Sequence, residues 1–301
     1  MRVAVTGATG RLGSALIAAL EDAPFTGPAG PVAWDRRAFD LDAPHDIGAR
    51  LDRDRPEVVV HAAAWTDVDG CARDPELALR RNGSATGVLA EACADRGVDL
   101  VIVSTNEVFD GARDDGLGYG PDDRPNPPNP YGASKLEGER RARAAFGGAR
   151  SALGVARTSW LFGPPGPDFP WKILDAADRA IHGGAHVRLV DDEWGVPTYA
   201  PDLADAIVEL LAEDAVGGTH HLVNGGIATR ATWGEDVFAR SGIDLAVEHI
   251  PGSAWERAST TPRWGVLAPT PLPSGEPMRP WPAAMADYLP ILTRARMAAA
   301  R

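Results

Sequence analysis

Short apolar runs punctuate the first half of the chain. Val3-Ala4-Val5, Val32-Ala33-Trp34, Val58-Val59-Val60, Leu100-Val101-Ile102-Val103 and Ala152-Leu153-Gly154-Val155-Ala156 are each too short for a buried helix. None shows the polar alternation of a strand with one wet face, so they predict strands covered on both sides, as in a parallel sheet. Between them the apolar positions adopt helical spacing, as at Leu12, Leu16, Ala19 and Leu20, then around Asn82, Leu89 and Ala92, and again from Tyr131 onward. Strands alternating with helices predict an α/β fold built from β-α-β units.

After Gly163 the regular alternation fades. Pro164 to Pro170 form a turn-rich link, followed by a helical stretch around Ile173, Leu174 and Ala177, a strand at Val187–Val190 and a helix from Asp202 to Leu211. Beyond Gly217 the segments are short and rich in Pro and Trp. The expected organisation is a sheet-forming domain over residues 1–160 and a smaller substrate lobe over 161–301, interleaved so that some of its segments return to the sheet.

The strand-to-helix junctions carry the first chemistry. Val3-Ala4-Val5 runs into Thr6-Gly7-Ala8-Thr9-Gly10-Arg11-Leu12-Gly13 and then a helix. In that setting Gly7 permits a tight turn, Gly10 lets a pyrophosphate approach the backbone, and Gly13 lets helix and strand pack closely. The helix N-terminus adds free N–H groups and partial positive charge. A doubly wound, Rossmann-type sheet binding NADP(H) or NAD(H) is the expectation, with Gly7, Thr9, Gly10, Arg11, Leu12 and Gly13 at the cofactor. Asp35 and Arg36 close the second strand; an acid there holds a ribose 2′-hydroxyl, an arginine a 2′-phosphate, and both are present. Asp40 and Leu41 are candidates for the adenine side. Ala62, Ala63 and Ala64 keep the third strand's end small beside the cofactor, and His61 reads as a strand-end histidine contacting backbone.

The second signal runs from Ser104 to Lys135. Thr105 ends the strand, and Tyr131 and Lys135 stand at i and i+4 on one helix face. A hydroxyl, a phenol and an ammonium meeting at one point can bond a carbonyl, deliver a proton to it and tune the phenol's pKa. Asn129-Pro130 suits the start of that helix, since proline fits its first turn. The loop from Asp110 to Pro130, dense in Gly, Pro, Asp and Asn, is expected to cover a bound ligand.

Charge and composition narrow the partners. A formal net charge of −12 over 301 residues argues against nucleic acid, whose phosphates need clustered cations. Cys71 and Cys93 offer neither a disulfide framework nor metal-ligand spacing, and read as buried thiols in a reducing compartment. No signal-peptide pattern and no apolar run of membrane-spanning length is present, so a cytoplasmic protein without a membrane partner is expected, with a homodimer left open.

These stretches, taken in order, resemble the extended short-chain dehydrogenase/reductases, and among them the dTDP-4-dehydrorhamnose reductases. The resemblance lies in Thr6–Gly13, His61–Asp69, Ser104-Thr105 with Val108-Phe109-Asp110-Gly111, Tyr131–Lys135 with Leu136, Gly138 and Glu139, Arg157–Gly163, and Val190-Asp191-Asp192 through Gly195, Pro197 and Thr198. It implies reduction of the 4-keto group of a nucleotide-linked, dTDP-type 6-deoxyhexose by NAD(P)H. Thr105 would bond the keto oxygen, Tyr131 would donate the proton, and Lys135 would bind the nicotinamide ribose and depress the phenol's pKa. Trp65, Thr66 and Trp160 would line the sugar site, and Arg188 or Arg263 would meet the diphosphate. Where these reductases usually carry Asp-Tyr, this chain has Asn106-Glu107. Nucleotide-sugar 4,6-dehydratases place a glutamate at the second position, so dehydratase or epimerase chemistry through Glu107 is one alternative. A non-catalytic dinucleotide-binding subunit like that of some methionine adenosyltransferases is another. In the reductase reading, Asn106 and Glu107 bind sugar hydroxyls or join a polar network.

Overall fold

The computed structural model describes residues 1–184 and 186–299. The apolar runs form β1 (Val3–Thr6), β2 (Val32–Trp34), β3 (Val58–His61), β4 (Asp99–Thr105) and β5 (Leu153–Thr158). Helices α1 (Arg11–Asp22), α2 (Ile47–Asp54), α3 (Ala85–Ala94) and α4 (Pro130–Phe146) connect them. The second half supplies α5 (Phe169–Gly183), β6 (Val187–Val190), α6 (Ala200–Ala212), β7 (Gly218–His221), α7 (Arg230–Arg240), β8 (Val247–Ile250) and α8 (Trp281–Ala299).

Six strands make one parallel sheet in the order β7-β5-β4-β3-β1-β2. The chain lays β2 on one side of β1 and then crosses to lay β3 on the other, and such a switch in strand order opens a crevice beyond the strands' carboxyl ends. Register brings the ends of the strands level there: Thr6 lies opposite His61 and Thr105 opposite Thr158.

The alternation hidden inside the apolar runs decides which helix covers which face. Val3, Val5, Val58 and Val60 pack with Leu12, Leu16 and Leu20 of α1 and with Leu203, Ile207 and Leu211 of α6. Ala4, Val59, Leu100 and Ile102 face the other way, against Ile47 and Leu51 of α2 and Leu89 of α3. Each such leucine or isoleucine contributes about 1.5–3 kcal/mol by leaving water. Residues 200–222 thus return to the sheet, α6 on one face and β7 on its edge.

A separate core gathers α5, α7 and α8 around Phe162, Trp233 and Tyr288, beside the parallel pair β6–β8. Pairs of two-residue strands stitch it to the sheet domain, Leu161-Phe162 against Thr198-Tyr199 and Trp194-Gly195 against Ala228-Thr229. No helix among the described residues is long and apolar enough to cross a membrane. Both cysteines are free and buried.

The loop from Asp110 to Pro130 departs from expectation. It docks on the C-terminal segment: Tyr119 N–H bonds the Val266 carbonyl at 2.8 Å, and Trp264 N–H bonds the Gly111 carbonyl at 3.1 Å. Tyr119 stacks on Phe109 and donates to Asp110, which turns the loop inward on itself. None of residues 111–129 lines the crevice, so the loop braces the C-terminal segment rather than covering a ligand.

Candidate active site

At the carboxyl edge of the sheet lies a cleft of about 540 Å³, bordered by Gly7, Gly10, Arg11, Leu12, Gly13, Ala62, Ala64, Thr66, Thr105, Asn106, Glu107, Tyr131, Lys135, Trp160 and Arg230. The glycine turn forms one wall because side chains there would not fit. Gly7 has φ +64°, and a Cβ on Gly13 would fall 2.0 Å from the Gly7 carbonyl oxygen, so helix and turn touch through backbone alone. Arg11 folds across the mouth and donates to the carbonyls of Gly163, Pro165 (3.0 Å) and Pro167 (3.1 Å).

Beside this cleft a smaller recess of about 300 Å³ shares Gly7, Gly10, Ala62 and Ala64 and adds Thr9, Arg36, Asp40, Leu41, Ala63, Trp65 and Arg81. Asp35 and Arg36 are placed differently here. Asp35 spends Oδ1 on the N–H groups of Arg37 and Ala38, both at 3.0 Å, and caps its own turn. Arg36 borders the recess, held by Asp42 at 3.2 Å, and Arg81 bonds the same carboxylate at 2.6 and 2.7 Å. Trp65 belongs to this recess, under the Arg81 guanidinium, and not to the wall of the main cleft.

The hydroxyl, phenol and ammonium do converge. Thr105, Tyr131 and Lys135 are all buried and all border the main cleft. Asn129 caps α4, its Oδ1 accepting from Gly132 N–H at 2.8 Å, and Pro130 occupies the first position. Lys135 is pushed down to about 8 by burial, against the opposing charge of Glu139. Lys135 is expected to depress the phenol, yet the net shift on Tyr131 is upward. Burial, reinforced by the negative charge of Glu107, holds Tyr131 well above the ordinary phenol value, although a hydrogen bond with Thr105 pulls it down. A phenolate is costly in that setting, so Tyr131 is kept as a proton-carrying acid.

His61 is no base. Its ring nitrogens lie 2.8 Å from Thr6 Oγ1 and 3.1 Å from Thr86 Oγ1, so it contacts two hydroxyls instead of backbone. Burial, then the Lys135 charge, pushes it down to about 3, and it stays neutral.

Asn106 and Glu107 sit in polar networks. Asn106 Nδ2 donates to the Gly265 carbonyl at 3.0 Å, and Asn129 Nδ2 donates to Glu107 Oε2 at 2.6 Å. Burial raises the Glu107 carboxyl, while the Asn129 bond and the charges of Arg230 and Arg257 oppose that. Thr66 and Trp160 border the cleft. Trp160 has φ +42°, a left-handed backbone unusual for a bulky residue, and its ring covers Gly195, where a Cβ would come within 2.5 Å.

Neither Arg188 nor Arg263 borders the cleft. Arg188 faces a cavity of about 600 Å³ in the C-terminal lobe and pairs with Glu248 at 3.6 Å, while Arg263 lines a shallower recess beside Glu193. Among the described residues, the cation that borders both the cleft and the lobe cavity is Arg230, which no motif singles out. It starts α7 and lies against Trp160, Phe169 and Trp233, and burial pushes it down to about 10. Glu139 and Arg157 form a second missed element. Both are buried, joined at 2.8 and 3.0 Å, with Ser104 Oγ donating to Glu139 at 2.6 Å. Burial alone would raise the Glu139 carboxyl, but Arg157 and Ser104 outweigh it and hold it below the usual range. Glu139 and Arg157 both fall within the stretches that carry the family resemblance, but nothing in those stretches signals that they pair.

The chain matches the model of the RmlD substrate binding domain over residues 1–293. It is 34% identical over 295 residues to a dTDP-4-dehydrorhamnose reductase of Streptomyces griseus, covering 96% of this chain and 93% of the relative. A dTDP-4-keto-6-deoxy-D-glucose reductase of Streptomyces niveus is 33% identical over 294 residues, covering 96% of each. The crystal structure of dTDP-4-dehydrorhamnose reductase from Bacillus anthracis in complex with NADP superposes with a TM-score of 0.85 at 26% identity, over 96% of this chain and 99% of that one. With its parallel sheet, glycine turn and convergent threonine, tyrosine and lysine, this chain belongs to the dTDP-4-dehydrorhamnose reductase family of extended short-chain dehydrogenase/reductases.

Proposed function

We propose that the protein reduces the 4-keto group of a dTDP-linked 6-deoxyhexose with NAD(P)H, using Thr105, Tyr131 and Lys135. The observation that carries this reading is their convergence, buried, in one cleft continuous with the glycine turn. A dinucleotide suits the residues present. The turn's backbone is free of side chains at Gly7, Gly10 and Gly13, and the buried Thr158 Oγ1 on the cleft wall has no protein partner. Lys135 would hold the nicotinamide ribose, the glycine turn the pyrophosphate, and Arg36 with Asp40 and Leu41 the adenosine end. Reduced nicotinamide supplies the hydride when bound.

The chain's own residues manage the oxygen. Hydride arrival at C4 turns the ketone oxygen into an alkoxide, which needs donors already in place. Thr105 donates to that oxygen and orients it. Tyr131 gives it the proton, and its high pKa keeps the proton available until the alkoxide, a stronger base, forms. Lys135 then restores charge balance beside the ionised phenol. Trp160 and Thr66 would pack the sugar. The lobe cavity, apolar at Ile173, Leu189 and Trp255 and cationic at Arg230 and Arg257, suits a nucleoside diphosphate better than a neutral ligand.

Dehydration gains no support from Asn106, whose amide is engaged on the Gly265 carbonyl and cannot act as an acid. The test is a panel of 4-keto nucleotide sugars, each with NADH and NADPH, scored by cofactor oxidation and by product configuration at C4. Turnover with a dTDP-linked ketone supports the reading. Cofactor affinity without oxidation by any ketone would mark a binding module and end it.

A further inference from the structure

The residue that opens the catalytic helix does more than cap it. Asn129 is 5% exposed. Besides the cap bond to Gly132, its Nδ2 donates to Glu107 Oε2 at 2.6 Å and to the Thr260 carbonyl at 2.7 Å. Helix initiation requires neither bond, since Ser, Thr or Asp caps about as well. Each instead ties the first turn of α4, which contains Tyr131, to a different part of the molecule.

The first tie addresses a geometric problem. Thr105 comes from a strand end and Tyr131 from a helix start, with a long loop between, so only tertiary contacts set one against the other. Glu107 follows Thr105 closely, and its N–H donates to Thr105 Oγ1 at 3.2 Å. The helix start is pressed onto that same residue: a Cβ on Gly132 would fall 2.0 Å from the Glu107 carbonyl oxygen. Asn129 closes the arrangement from the side-chain end. The second tie reaches a C-terminal strap. Ser259 on that strap bonds Asp69 through Oγ (2.6 Å) and N–H (3.0 Å), and Thr261 bonds Glu193 at 2.9 Å. Arg257, on the same strap, bonds Glu193 and faces the lobe cavity.

We infer that Asn129 is a positioning residue for ketone reduction: by bonding Glu107 and the Thr260 carbonyl while capping α4, it holds the Tyr131 phenol against Thr105 and fastens both to the strap of the C-terminal lobe. The inference rests on Tyr131 being the proton donor.

Two variants separate this role from capping. Asn129→Ser keeps a good cap and loses both outward bonds. Asn129→Asp keeps the cap and the side-chain volume but sets a carboxylate against Glu107. Both should melt near the wild-type temperature and bind NADPH with unchanged affinity. Both should lose kcat by about 10- to 100-fold, the scale expected when a reacting group is displaced by about 1 Å, with little change in KM. The solvent deuterium isotope effect on kcat should rise as proton delivery slows. Wild-type kcat and isotope effect in either variant would reduce Asn129 to a cap and overturn the inference, as would loss of fold in both. A wild-type enzyme that reduces no nucleotide-sugar ketone would be a different failure, visible before any mutation, and the inference would fall with the functional reading.

Discussion

The Arg230 guanidinium lies over the Trp160 ring, 3.7 Å from its centroid, and borders both the cleft and the lobe cavity. Phe169 and Trp233 complete an aromatic collar at 5.2 and 5.8 Å. A cation ringed by π faces retains its charge while its N–H groups stay available for an anion. Trp160, in a strained backbone and backed by Gly195, cannot easily move away. The pair therefore sits where a sugar joins its phosphate, if the sugar lies in the cleft and the nucleotide in the lobe.

Arg230→Ala should raise KM for the nucleotide sugar by about 10- to 100-fold, the worth of a charge-assisted hydrogen bond, and change kcat far less. Steady-state kinetics reads this directly. A fall in kcat at constant KM would instead assign the guanidinium to balancing Glu107.

Removing one oxygen tests the proton donor. Tyr131→Phe should lower kcat by about 10²- to 10⁴-fold, the usual contribution of a positioned acid. NADPH affinity, followed by fluorescence titration, should hold. Unchanged turnover would refute the assignment.

Lys135 carries a pH signature. Because burial lowers it from 10.5 to about 8, its ammonium is lost as pH rises through about 8, and kcat/KM should fall there. The stability consequence has a definite sign. Between about 8 and 10.5 the unfolded chain binds the proton and the folded one does not, so this group makes unfolding harder as pH rises through that window. Below it the buried charge is a burden. Lys135→Met should therefore melt at a higher temperature than wild type at pH 7 while losing activity. A lower melting temperature would mean that the ammonium's contacts outweigh its desolvation.

Cofactor choice turns on Arg36. With Asp35 turned into its own loop and Arg36 and Arg81 bordering the recess, NADPH should be favoured over NADH. Arg36→Ala should weaken NADPH by about ten-fold and leave NADH nearly unchanged, a difference visible by calorimetry. Equal loss of both would place the arginine away from the 2′-phosphate.

The pair Glu139–Arg157 should dominate local stability. Glu139→Gln leaves the buried Arg157 without its carboxylate and should cost about 3–5 kcal/mol in urea unfolding, whereas Arg157→Ala leaves Glu139 still bonded by Arg143 and Ser104 and should cost less. The double variant Glu139→Leu/Arg157→Met should recover much of that. Failure to recover would show that Ser104 and Phe109, which also touch the pair, depend on its charge.

What could be read from the chain alone was whatever local chemistry dictates. The five apolar runs become strands because too few residues separate their breakers for anything else, and Thr6–Gly13 becomes the expected turn because only glycine tolerates its close approaches. Asn129-Pro130 starts α4 for reasons contained in those two residues. The i, i+4 spacing of Tyr131 and Lys135 follows from helix geometry once the helix is granted, and Thr105 lies at a strand end for an equally local reason.

Tertiary structure decided everything that depends on residues far apart in sequence. Asp35 and Arg36 are adjacent, and only the folded turn shows which of them faces the recess. The proline-rich loop had the composition of a cover, yet its carbonyls and N–H groups found partners at Val266 and Trp264. Arg230 carries no motif, because its place depends on Trp160 and on the two cavities it borders. The phenol's pKa could not be inferred from spacing either: an ammonium one turn away suggested a depressed value, whereas burial and the charge of Glu107 raise it. Periodicity and turn propensity act over a few residues and leave their mark in sequence, but desolvation and charge pairing are set by whatever the fold brings near, which no single stretch of chain encodes.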